Sequence, residues 1–88
     1  MAKAVCFEHE ILNGAVKILL TEMNIRDLED ALDEDSKRFI RWVASQLIDG
    51  KIEGERVLTA WERIKKQGLP INEAIRLLCS GICLEQTL

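Results

Sequence analysis

Four side chains in this sequence carry thiol or soft-metal chemistry: Cys6, His9, Cys79 and Cys83. They are all of its cysteine and all of its histidine. Cys6 and His9 form a C-x-x-H near the start, and Cys79 and Cys83 a C-x-x-x-C near the end. On helices, spacings of three and four put each pair on one face. If the two ends of the chain meet, the four groups make a Cys3His set, a composition that suits a structural zinc ion. The competing reading gives them no metal. Cys79 then packs beside Ile75 and Ile82, as buried cysteine commonly does, and His9 is simply exposed. Cys6 also has in His9 the neighbouring base that a thiolate nucleophile requires. No phosphate-binding glycine loop, nucleophile elbow or HExxH accompanies the pair. One histidine and no tyrosine leave little from which to build a tuned active site. The expectation is a protein that is not an enzyme and needs no cofactor, with zinc at Cys6, His9, Cys79 and Cys83 as an alternative.

A second group points to binding rather than reaction. Projected on a helix, Trp42 lies away from the apolar stripe of Phe39, Ile40, Val43, Ala44 and Leu47. Its neighbours on the wheel are Arg38, Arg41, Ser45, Gln46 and Asp49. Tryptophan among arginines is the composition of an interface hot spot. Trp42, Arg38, Arg41 and Gln46 are therefore the expected contact surface for a protein partner. The alternative is that a neighbouring element of the same fold, or a second copy of the chain, covers the ring.

The elements that must position these groups are helical throughout. Apolar residues recur at three and four along about 5–23 (Ile11, Leu12, Ala15, Val16, Leu19, Met23), with Gly14 inside the run. Asn24 reads as the cap of a short second helix, whose buried stripe is Ile25, Leu28 and Leu32. A third helix is expected from Glu34 to Ile48, capped by Asp33, Asp35 or Ser36, and stopped at Asp49-Gly50. A fourth covers about 55–67, with Val57, Trp61 and Ile64 in line and Gly68 at its left-handed end. Pro70 opens a fifth, carrying Ile71, Ala74, Ile75, Leu78 and Ile82. That helix either ends at Gly81 or continues towards Leu84. The expected fold is all-α: a single-domain compact bundle or orthogonal array of four main helices plus one short helix.

Residues 55–78 bear a basic helix, a glycine turn and a second helix. The string RVLTAWERIKKQGLPINEAIRLL resembles the helix-Gly-turn-helix segment of MerR-type regulators. Arg56, Arg63, Lys65, Lys66 and Arg76 carry the charge, while Gly68, Leu69, Ile71 and Ile75 form the turn and its packing. The resemblance implies nucleic-acid contact through Arg63, Lys65, Lys66 and Arg76, as a second alternative. The winged part that precedes this segment in that family has no counterpart in the sequence.

Composition narrows the classes further. The 88 residues are 48% hydrophobic and 31% charged, which marks a globular chain of one domain's length. The net charge is −3, from 15 acids and 12 bases. That balance argues against binding nucleic acid through bulk charge. Six acids fall in Asp27–Asp35, but without the ligand register or central glycine of an EF-hand, so a solvated face is expected there. The odd cysteine count opposes a disulfide framework. No basic segment leads into an apolar run at the start, and no apolar stretch approaches a membrane span, so the cytoplasm is the expected compartment. A chain this short builds a thin core, which makes self-association an open expectation.

Overall fold

The computed structural model describes residues 2–87, with side chains described for residues 10–83. Helix α1 spans Ala2–Glu22. A 3-10 helix follows over Arg26–Ala31, then α2 over Glu34–Ile48, α3 over Gly54–Lys65 and α4 over Ile71–Thr87. No strand occurs among the described residues. The fold is all-α, a helical bundle.

Each of the first three main helices stops at a residue that accepts positive φ. Asn24 (φ 62), Gly50 (φ 71) and Gly68 (φ 70) follow α1, α2 and α3. After α1, the amide of Asn24 donates to the Thr21 carbonyl and that of Ile25 to the Leu20 carbonyl. This is a Schellman ending, completed by burial of Ile25 against Leu20. Asn24 therefore closes α1 rather than opening the next helix. The 3-10 segment has no side-chain cap and buries none of its own residues. Leu28 is exposed, contrary to the sequence expectation, because a 3-10 helix has three residues per turn and does not hold a 3–4 stripe on one side. Ile25 and Leu32, just outside it, are the buried anchors. At the other end of the chain, α4 passes through Gly81 without a break.

The start of α2 is the most heavily tied point in the fold. Of the three candidate caps, Asp33 takes the position: its Oδ1 accepts from the Ser36 amide at 2.8 Å. The Asp33 amide donates to Asn72 Oδ1 at 2.9 Å, and Asn72 Nδ2 donates to the Ala31 carbonyl at 3.3 Å. Arg76 Nη2 donates to Asp33 Oδ2 at 2.9 Å and lies 3.7 Å from Asp35. The first turns of α4 thus clasp the first turn of α2. Phe39 and Trp42 then meet Cys79, Ser80 and Cys83 farther along, so α2 and α4 run parallel. Helix α1 runs antiparallel to α2, with Leu20 near Lys37 and Ile40, and Asn13 near Arg41.

Leu19 and Leu20 of α1, Met23 just after it, Ile40, Val43 and Ala44 of α2, Val57 and Trp61 of α3, and Ile75 and Leu78 of α4 meet in one core. Trp61 is 1% exposed, and its Nε1 donates to the Met23 carbonyl at 2.9 Å. The bond ties α3 to the end of α1.

Among the described residues, one buried hydroxyl finds no hydrogen-bond partner of acceptable geometry. Ser36 is wholly buried, and its Oγ makes no hydrogen bond of acceptable geometry, although it faces the Asp33 carboxylate. A buried hydroxyl without a partner costs stability. Ser36→Ala is accordingly expected to raise the unfolding free energy by about 0.5 kcal/mol, or about 2–4 °C in melting temperature. A thermal melt showing a loss of that size would mean that the hydroxyl is bonded in solution.

Candidate partner-binding site

Trp42 sits on the flank of α2 that faces α4. Its stripe neighbours Ile40 and Val43 go into the core, and the ring itself is half-buried at the core's edge. Together with Arg38 and Phe39 of α2 and Cys79, Ser80 and Cys83 of α4, it lines a shallow hollow of about 330 Å3. The floor is apolar. Ser80 and Arg38 are the polar residues among those that line it.

The two tryptophans differ in a way that matters for binding. Trp61 is enclosed and its N–H is satisfied. The Trp42 indole N–H donates to no group among the described residues, although the Trp42 carbonyl accepts from Ser45 Oγ. Arg38 likewise forms no ion pair or hydrogen bond among the described residues. Among the described residues, this apolar surface therefore carries a donor and a cation that find no partner.

The four residues expected at the contact surface separate into two sets. Arg38, Trp42 and the half-buried Gln46 share the α4-facing flank. Arg41 lies on the opposite flank, where its Nη1 donates to Asn13 Oδ1 of α1 at 2.8 Å. Phe39 also belongs to the hollow. It appears in the sequence as an ordinary member of the stripe, and only the approach of α4 turns its edge into a wall.

Cys79 and Cys83 stand one turn apart on α4, as their spacing requires. Cys79 is buried and Cys83 exposed. Burial pushes the Cys79 thiol up to about 12, with Cys83 beside it adding in the same direction. Cys79 therefore remains protonated at neutral pH and is a poor nucleophile. The side chains of Cys6 and His9 lie outside the described residues. Among the described residues, no three His, Cys, Asp or Glu side chains come together to hold a metal ion.

The basic residues of the second half also divide. Arg63 and Lys65 are exposed on the last turns of α3, and Lys66 is exposed just after it. Arg76 is turned towards Asp33 and Asp35, so its charge is answered within the fold. A second groove, of about 420 Å3, runs between α3 and α4 past Ala60, Leu77 and Gly81. No aromatic ring lines it.

Comparison with protein-family models, curated proteins and solved structures finds no match. The argument about function therefore rests on the chain's own surface. Among the described residues, no helix is long and apolar enough to cross a membrane.

Proposed function

We propose that this protein is a non-enzymatic helical interaction module, an adaptor or small regulatory subunit, whose contact surface is the hollow between α2 and α4. The observation that carries the reading is the contrast between its tryptophans. A buried indole normally finds an acceptor for its N–H, as Trp61 does with the Met23 carbonyl. Trp42 keeps a half-exposed ring over an apolar floor, with Arg38 next to it, and its N–H meets no acceptor among the described residues. The matching occupant is a short segment of another protein that presents one bulky apolar side chain flanked by Asp or Glu. The apolar group fills the hollow, a carbonyl or carboxylate takes the indole proton, and the acid pairs with Arg38.

The test starts with affinity capture on wild-type protein, followed by binding measurements with each captured protein after purification. Trp42→Ala is expected to weaken the true partner by tenfold or more, an ordinary hot-spot effect of about 1.4–3 kcal/mol. Arg38→Glu is expected to weaken it further in low salt than in high salt. Both variants should melt close to wild type, because the two side chains lie at the edge of the core. Unchanged affinity in Trp42→Ala, or a collapse of its melting temperature, would sink the assignment.

A further inference from the structure

A different face of the molecule is also unfinished, and it lies on α1. The core-facing stripe of this helix is Leu12, Val16, Leu19 and Leu20, with Met23 just after it. Another apolar seam runs along the outer side: Ile11 is 46% exposed and Ile18 is 62% exposed. Gly14 sits between them, three residues after one and four before the other, in heptad spacing. The sequence repeats that spacing at Ala4 and Phe7.

Gly14 has no explanation inside the chain. It does not adopt positive φ, and a Cβ built there meets nothing within 4 Å. A glycine in mid-helix normally lowers helix stability and earns its place where another backbone comes close.

We infer that α1 forms a two-fold symmetric, antiparallel dimer with α1 of a second copy of this chain, crossing at Gly14. The seam is self-complementary about that residue, so Ile11 packs against the partner's Ile18 and Ile18 against the partner's Ile11. Charge fixes the direction. Glu10 and Lys17 flank the seam on one side and make no ion pair among the described residues. In antiparallel packing, equivalent flanking positions face each other, so Glu10 meets the partner's Lys17, and the pair occurs twice by symmetry. Parallel packing would instead bring together the two ends where Glu22 lies beside Glu55 and Glu62. Six carboxylates would then crowd one point, whereas the antiparallel arrangement holds the two acidic ends apart. The opposed helix dipoles of an antiparallel pair favour the same choice.

This interface is separate from the Trp42 hollow, and its test separates the two. Sedimentation equilibrium is expected to give a dimer for wild type and for Trp42→Ala. Ile18→Glu alters a side chain outside the core, so its circular dichroism should match wild type while the dimer dissociation constant rises about a hundredfold. Glu10→Lys and Lys17→Glu should each weaken the dimer, and the double exchange should restore it. Gly14→Ala should act in opposite directions, raising the melting temperature of dilute monomer while loosening the dimer. Monomeric wild type at about 100 μM, a concentration at which even weak specific association is visible, would overturn the proposal. So would a dimer that survives Ile18→Glu, or a double exchange no better than the single ones.

Discussion

Trp61→Ala is expected to leave a chain that is barely folded. The side chain is 1% exposed and belongs to the single core cluster, to which all four main helices contribute. Truncating a buried tryptophan costs about 3–5 kcal/mol. A small domain has about 5–15 kcal/mol in total, and the chain's thin core places it towards the lower end. A further loss comes from the Met23 carbonyl, which accepts the indole proton and would be stranded beside a cavity. Trp61→Phe divides the two contributions. It retains most of the apolar volume, removes the hydrogen bond and leaves a smaller gap, so a loss of about 1–3 kcal/mol is expected. Urea titration followed by circular dichroism measures both, provided the slope with denaturant is shared with wild type. A Trp61→Ala midpoint close to wild type would mean that this ring is not the buried centre of the core.

The second large effect is expected at Asp33, through a different mechanism. This carboxylate caps α2, pairs with Arg76, and belongs to the residue whose amide is held by Asn72. Asp33→Ala should lower the melting temperature by about 4–8 °C, the usual consequence of losing a helix cap in a domain of this size. Asp33→Asn should recover most of that, because asparagine caps equally well and the exposed ion pair adds little. Acid gives an independent check. The Ser36 amide bonded to the carboxylate is the main influence holding Asp33 below its ordinary 3.8, and Arg76 acts in the same direction. A carboxyl whose pKa is lower in the folded state contributes its full stability above the unfolded value. That contribution disappears as the pH falls through the folded value. The difference in melting temperature between wild type and Asp33→Ala should therefore be constant above about pH 5 and narrow below about pH 4. A difference that widens in acid would show that some other carboxylate dominates.

Much of this architecture can be read from the chain without coordinates, and the exceptions are physical. The limits of α2 follow from a strong stripe between an acidic cap cluster and Asp49-Gly50, signals that all act within a few residues. Asn24 is ambiguous because the same side chain favours both a helix start and a left-handed helix end. The choice depends on Ile25 finding the core, which is a tertiary event. Gly81 is ambiguous for a similar reason: a glycine ends a helix only if the chain beyond it turns back, and here α4 continues.

The candidate site was legible in part. Trp42 and Arg38 stand out by composition and position on the wheel. Their hollow does not, because its other wall comes from Cys79, Ser80 and Cys83, and nothing in either segment states that α2 and α4 run parallel. That relation is set by the clasp among Asp33, Asn72 and Arg76, residues 39 to 43 positions apart. The same clasp is why Arg76, which reads as part of a basic surface, is engaged by acids.

The enclosed indole proton of Trp61 has a consequence for how the protein can be watched. It can reach solvent only when α3 leaves the end of α1, so its exchange with deuterium is governed by global opening. The Trp42 ring, at the edge of the hollow, is only half-buried in the native state, so its proton is expected to exchange faster. The chain therefore carries two spectroscopic reporters of the same chemical type on independent clocks, the slow one reading whether the bundle is intact and the fast one reading whether its surface is occupied.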